Sequence, residues 1–354
     1  MLTNLRLRNF RCFEGVSVDI GPGFNLFLGA NGEGKTTILE AACVLLRLQS
    51  QRSSSLVPVI QINKKFFEIR GRYDEHELEF RFSALRRRVK FDEIEQRTLR
   101  EYLRIGRVVS LANADIELVR GGSEGRRRYL DFLGAQIDGS YRPALRAYER
   151  ALRARNALLK SPVPRAREVA AYDPPLIEHG RVLLRLRAEL TEMLAPLATH
   201  AYQRISAGRE KFELRFLPGA SEDFGSDLER SHSESIRLRQ TIVGPHRDDL
   251  ELIVDDLPAP QFASEGQQRT IALAMKIAQA EPLKKSNEGK APLLLIDDIF
   301  GELDHDRRNA LLDNLPADSQ KLVTATAMPW RDEITADTIY EMRDRRLRRM
   351  QVSR

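Results

Sequence analysis

The chain is poor in cysteine, has few histidines and lacks long apolar runs. Two cysteines in 354 residues, Cys12 and Cys43, make neither a disulfide framework nor a four-ligand zinc site. They fit a reducing cytoplasm. No apolar run reaches the roughly 18 residues needed to cross a bilayer, so no membrane span is expected. Met1 to Arg6 shows no charged segment followed by an apolar core, and secretion is not expected. The six histidines are scattered, and none shows zinc spacing. There is no internal repeat or low-complexity tract. No basic run is interleaved with aromatics, so no platform for stacking single-stranded bases is visible.

What remains is 42% hydrophobic and 31% charged, a balance that can bury a full core over two domains or one domain with a lobe. The net charge is +6, carried by 46 arginines and 11 lysines. Arginine suits phosphate recognition because guanidinium forks onto phosphate oxygens. A genome favouring arginine codons gives the same excess, so the excess alone assigns nothing.

Apolar and polar residues alternate over Leu5–Leu7 and Val16–Ile20, which predicts strands. Gly21-Pro22-Gly23 marks a turn, and Phe24 to Leu28 reads as a buried central strand. A glycine-rich loop and a helix over Ile38–Leu48 follow. Further strands are expected within 56–82. From about 125 to 215 the period becomes helical, as in Leu145, Tyr148, Leu152, Arg155 and Leu159, and again from Val182 to Leu197. Pro196 is expected to end or kink the second helix. Pro218 to Ser235 reads as a loop, Leu250–Val254 as a strand, Thr270–Ala280 as a helix and Leu293–Ile296 as a buried strand. The pattern predicts an α/β domain carrying an inserted helical lobe: 1–115 and 245–354 as lobe I, 116–244 as lobe II.

Gly29-Ala30-Asn31-Gly32-Glu33-Gly34-Lys35-Thr36-Thr37 matches G-x-x-x-x-G-K-T between a strand and a helix, the context a phosphate loop requires. Gly32 and Gly34 let backbone N–H groups converge on phosphate. The helix start adds a positive pole, Lys35 is expected at the β- and γ-phosphates, and the Thr36 hydroxyl on Mg²⁺. Leu293 to Ile296 ends in Asp297 and Asp298. An acid there holds Mg²⁺ in nucleotide hydrolases, and a second can orient or deprotonate the attacking water. Asp297 is assigned to the metal and Asp298 to catalysis with Lys35. Ser264-Glu265-Gly266-Gln267 precedes a helix. Ser264 is placed to cap it, but S-x-G-Q upstream of L-L-L-I-D-D is also the ABC-ATPase signature order. Ser264, Gly266 and Gln267 are therefore candidate nucleotide contacts. Gly301-Glu302-Leu303-Asp304 falls where such ATPases carry a dimer-contact loop.

These stretches, with Leu7-Arg8-Asn9-Phe10-Arg11, Arg126 to Asp131 and Gly244 to Leu250, run from residue 5 to about 326 in an order that resembles the RecF family. These are bacterial recombination-mediator ATPases related to SMC and Rad50 heads. The resemblance implies an ABC-type ATPase head, a P-loop NTPase fold with a helical lobe inserted. It implies a cytoplasmic protein of DNA replication, DNA damage repair and the SOS response that binds ATP, Mg²⁺ and DNA. The expected DNA is duplex, gapped or a single/double-strand junction at stalled forks, where the family helps load recombinase beside other recombination-mediator proteins. ATP is expected between two copies, Ser264 of one facing Lys35 of the other. The 229 residues from Lys35 to Ser264 leave no room for a long coiled coil. Arg11 resembles the SMC/Rad50 arginine near the nucleotide; a surface residue on an edge strand is the alternative.

Glu265 stands where the usual signature has glycine, and Asp298 where ABC enzymes have glutamate; slow turnover is expected. No histidine follows the Asp297 strand, and Val323-Thr324-Ala325-Thr326 occupies the switch position. Gln51 and Gln61 both qualify as the Q-loop glutamine. His246-Arg247-Asp248-Asp249 reads as structural rather than metal-binding. Arg86–Arg88, Arg126–Arg128 and Arg343–Arg349 are basic clusters, at least one of which is expected on DNA phosphate. Two rivals stand beside the DNA-repair ATPase: a nucleotide-gated clamp with negligible hydrolysis, and a transporter ATPase subunit. The long insert, the missing switch histidine and the Asn9-Phe10-Arg11 start argue against the transporter.

Overall fold

The computed structural model describes residues 1–53, 55–208, 210–327 and 336–350. The chain forms two units, one of Met1–Ala114 with Leu283–Arg354 and one of Asp115–Pro282.

The first unit holds two sheets. Strands β1 (Leu2–Phe10), β2 (Phe13–Asp19), β4 (Phe66–Tyr73), β5 (His76–Ser83), β6 (Arg87–Phe91) and β7 (Ile94–Glu95) form an antiparallel sheet in the order β2-β1-β4-β5-β6-β7. Alternation decides its faces: Leu5 and Leu7 are buried while Arg6 and Arg8 point to solvent. The second sheet has the order β15-β14-β3-β13-β12-β8, built from β3 (Phe24–Leu28), β8 (Val108–Ala112), β12 (Leu293–Asp297), β13 (Lys321–Ala325), β14 (Thr338–Arg343) and β15 (Arg346–Met350). Its pairings are parallel except at the β15 edge. The inner strands are near-continuous apolar runs because both faces are covered. Helix α1 (Lys35–Arg47) packs against strands of both sheets and is buried from Thr37 to Arg47, which is why Ile38 to Leu46 carries no polar stripe.

The second unit packs α2 (Ser123–Ile137), α3 (Tyr141–Leu159), α4 (Asp173–Ile205) and α5 (Glu265–Ala278) with a three-stranded sheet, β9 (Phe212–Leu217), β10 (Asp249–Val254) and β11 (Leu257–Pro258).

Several expectations change. The chain returns to the first unit at Leu283, not at 245. Strand β10 pairs with β9 from the helical stretch, and α5 packs on α4, so 245–282 stays with the second unit. Helix α4 runs 33 residues and is not ended by Pro196. Pro196 is exposed, and so is Glu192, whose carbonyl loses its helical partner. Water can replace that bond while buried Leu194, Ala198, Ala201 and Tyr202 hold the helix on both sides. Pro218–Ser235 is not a loop throughout: helices occupy Phe224–Arg230 and His232–Leu238, the first capped by Asp223, which accepts from the Ser226 N–H, and anchored by buried Phe224 and Leu228. The arginine-rich tail is a β14–β15 hairpin.

Candidate functional site

Strand β3 delivers the phosphate loop. Any side chain at residue 29 would collide with the Met342 carbonyl oxygen of β14, so Gly29 permits the close approach of the two segments. Gly34 takes φ 107, and a Cβ there would meet Cys12 Sγ and the Phe13 ring at 2.8 Å. Helix α1 then starts at Lys35.

Lys35 Nζ donates to the carbonyls of Gly29 (2.6 Å) and Ala30 (2.9 Å). Burial lowers the affinity of this ammonium for its proton, opposed by the carboxylates of Asp298, Asp297 and Glu33. Strand β12 brings the acids. Asp297 Oδ1 accepts from Thr36 Oγ1 and Thr324 Oγ1, each at 2.7 Å. At Asp298 the backbone leaves the strand with φ 51, and its N–H donates to Thr324 Oγ1 at 3.0 Å. Burial raises the Asp298 carboxyl above its ordinary value; Lys35 opposes the shift, and Asp297 and Glu302 add to it. The two adjacent acids thus occupy different settings, one tied between two hydroxyls, the other facing a cavity.

That cavity, about 690 Å³, is lined by Asn31, Gly32 and Gly34–Thr37, with Arg11, Gln61, Asp298 and Arg345 around them. Arg11 Nε and Nη2 fork onto the buried Glu40 carboxylate at 2.9 and 2.6 Å, and this pairing holds its proton more tightly. Arg52 lies 3.8 Å from the same carboxylate. The Oε1 atoms of Gln51 and Gln61 are both buried without a hydrogen bond among the described residues, but only Gln61 lines the cavity. Arg52, Asn63 and Arg345 were not expected here. A lone arginine carries no sequence signal for such a place, and Arg345 was hidden in a basic run.

The other predicted residues lie elsewhere. Ser264 caps α5: its Oγ accepts from the Gln267 N–H (3.3 Å), and Gln267 Oε1 accepts from the Ser264 N–H (2.6 Å). Gln267 Nε2 also donates to Glu210, and Gly266 lies in the first turn. Glu265 is turned onto Arg120 (3.1 Å) and Arg269 (2.8 Å). Asp304 caps the helix His305–Asn314, accepting from the Arg307 N–H at 2.8 Å. Arg126 is buried and forks onto Asp249 (2.6 and 3.0 Å), Arg127 donates to the Asp248 carbonyl, and Arg128 pairs with Glu124. Of that basic cluster Arg126 is spent on the fold, while Arg128 stays exposed. His246 contacts Tyr148 Oη and the Thr241 carbonyl, and no group of metal-ligating side chains occurs among the described residues.

A phosphate loop following an inner strand of a largely parallel sheet, two acids ending the strand next but one to it, and a capped S-x-G-Q helix define an ABC-type P-loop ATPase head. A family model described as an AAA domain matches residues 4–120. The chain is 35% identical over 342 residues to the DNA replication and repair protein RecF of Symbiobacterium thermophilum, covering 92% of this chain and 91% of the relative. It is 32% identical to the RecF of Bacillus cereus, over 96% and 95% of the two chains. The chain belongs to the RecF family. Among solved structures it is similar to a recombination mediator protein RecF with ATP, of the RecFOR pathway (TM-score 0.88, 26% identity, 99% and 97% covered). An Smc head bound to the C-winged helix domain of ScpA shares the fold (TM-score 0.56, 18% identity, 99% and 97% covered).

Proposed function

We propose that the chain is an ATP-dependent DNA-binding protein of DNA replication and recombinational repair. The observation that carries this is the convergence of Lys35, Thr36 and Asp298 around one cavity, with Asp297 accepting from the Thr36 hydroxyl. ATP would lie along Asn31–Thr37, with Lys35 released from the Gly29 and Ala30 carbonyls to reach the phosphates. The hydroxyl of Thr36 beside the Asp297 carboxylate is a hard oxygen pair that fits Mg²⁺, which would supply charge neutralisation at the phosphates. Asp298, at the cavity, would orient the attacking water; its raised pKa suits a proton acceptor. Glu265, drawn onto Arg120 and Arg269, is turned toward its own unit's cations. That supports a Ser264–Gly266–Gln267 helix start that can meet the nucleotide of a second copy, with Asp304 at the contact. The ATP dimer would clamp duplex, gapped or junction DNA in the cytoplasm beside other mediator proteins, and slow hydrolysis, stimulated by DNA, would release it. No described helix is long and apolar enough to cross a membrane.

A second reading, a clamp for which ATP is dimer glue and hydrolysis is negligible, is favoured by the short reach of Asp298. Sedimentation and DNA titration, each with ATP, ADP or no nucleotide, test both. ATP-dependent dimers that bind unrelated duplexes alike, with affinity falling by orders of magnitude as salt rises severalfold, support a phosphate-contacting clamp. Sequence-selective or salt-insensitive binding defeats it. ATP turnover with and without DNA then separates the two readings.

A further inference from the structure

We propose that Arg345 is a phosphate-binding residue of the nucleotide site, delivered by the β14–β15 hairpin. The inference rests on reading the cavity as a nucleotide site and adds to it a residue 310 positions from Lys35 that no phosphate-loop motif contains.

Strand β14 runs parallel to β3, with Glu341 opposite Leu28. Where β3 gives way to the phosphate loop, β14 therefore stays beside it, and the Met342 carbonyl occupies the space that a side chain on Gly29 would need. Two residues later the chain reverses. Asp344 and Arg345 take φ 51 and 58, and β15 returns antiparallel with Arg346 opposite Arg343. A two-residue hairpin turn with both φ positive is best served by asparagine and glycine. An arginine at the second place is a poor choice for the turn alone.

The tip is fastened to the loop. The Arg345 backbone N–H donates to Glu33 Oε2 at 2.9 Å, and Glu33 directly precedes Gly34-Lys35. This bond uses the backbone and leaves the guanidinium uncommitted, and Arg345 is one of the residues that line the cavity. The other cations there are engaged: Lys35 with two carbonyls, Arg11 with Glu40, and Arg52 near the same Glu40. Among the described residues no carboxylate pairs with the Arg345 guanidinium. A guanidinium without a carboxylate partner among the described residues, tethered two residues from Lys35 at the rim of a phosphate cradle, matches the oxygens of a polyphosphate chain, which it can fork.

The test uses Arg345→Gly, because glycine suits φ 58 and keeps the backbone N–H to Glu33. Binding of ATP and of inorganic tripolyphosphate is measured by competition against a fluorescent ATP analogue, beside thermal unfolding without ligand. The expected result is about a tenfold loss of affinity for both ligands, an unliganded midpoint that does not fall, and partial recovery in Arg345→Lys. Unchanged affinity for both ligands overturns the proposal. Loss for ATP with tripolyphosphate unchanged also overturns it, placing the residue on the base or ribose. So does a lowered unliganded midpoint with no recovery in Arg345→Lys, which would make the residue structural. Lys35→Ala is run in parallel. If that variant still binds ATP like the parent, the nucleotide-site reading itself has failed, a result distinct from an inert Arg345.

Discussion

The two units use the same side chains in opposite ways. In the second unit Arg187 is buried on α4 with every arm engaged: Nη1 donates to Asp248 Oδ2 (2.7 Å) and the Pro245 carbonyl (2.6 Å), Nη2 to Asp131 (2.7 Å), and Nε to Tyr141 Oη (3.0 Å). Burial works against its charge, but Asp131, Tyr141 and Asp248 outweigh it and hold the proton more tightly than usual. In the first unit Lys35, Asp298 and Arg345 face a cavity with their charges only partly answered by the protein. A charge that the fold fully satisfies belongs to the fold, whereas one left half-satisfied at a cavity is held for a ligand.

The largest effect expected from breaking this contrast is in the buried network. Arg187→Ala leaves Asp131 and Asp248 without their cation, and removing one partner of a buried pair costs about 3–5 kcal/mol. Denaturant unfolding should register that loss. A cost under about 1 kcal/mol would show that these acids do not depend on Arg187.

His246 sharpens the same point through pH. Burial pushes its imidazole down from 6.5 to about 4, with the Thr241 carbonyl opposing the shift. Between those values the unfolded chain binds a proton that the folded chain refuses. The stability His246 contributes is therefore complete above about 6.5 and lost as pH falls toward 4, on the order of 3 kcal/mol. Unfolding free energies of parent and His246→Gln across that window should differ in slope, the parent being steeper; equal slopes would place the acid sensitivity elsewhere.

In the first unit, substitutions should cost binding and spare the fold. Lys35→Ala should weaken ATP binding at least about a hundredfold, or 2.8 kcal/mol, and abolish ATP-dependent dimers with it. Asp298→Asn removes a carboxylate whose raised pKa marks an unfavourable site for its charge. Its unliganded thermal midpoint should hold or rise slightly, while hydrolysis slows and the ATP dimer persists. Asp297→Asn should instead weaken Mg²⁺-dependent binding. Identical phenotypes for the two acids would dissolve the distinction drawn from their different settings.

Local signals were legible in the sequence. The phosphate loop is defined by glycine spacing and one cation, and the acids by an apolar strand, so Lys35, Thr36, Asp297 and Asp298 could be read without coordinates. Long-range pairing was not. That β10 completes a sheet with β9, holding the signature helix in the second unit, depends on two strands 32 residues apart at closest. The fates of the basic runs were equally hidden. Arg126 is spent on Asp249, while Arg345 is carried to the phosphate loop by a hairpin that looked like a charged tail. Pro196 does not end its helix because helix-breaking is a local propensity, and packing on both sides overrode it.

The smallest effect separates the two roles of Ser264, which belongs both to the fold and to the candidate site. As a cap, its hydroxyl accepts from the Gln267 N–H, and Ser264→Ala should cost about 1 kcal/mol in stability. Aspartate caps a helix as well as serine does, and its charge favours the positive helix start. Ser264→Asp should therefore unfold within a few tenths of a kcal/mol of the parent and bind ATP as a monomer with unchanged affinity. If the serine meets a second copy's nucleotide, however, the new carboxylate is placed against its phosphates, and like charge should prevent the ATP dimer. Thermal unfolding, nucleotide titration and sedimentation of this one variant decide the matter. A stable Ser264→Asp chain that still dimerises with ATP would leave Ser264 as a cap alone and remove the signature helix from the nucleotide site.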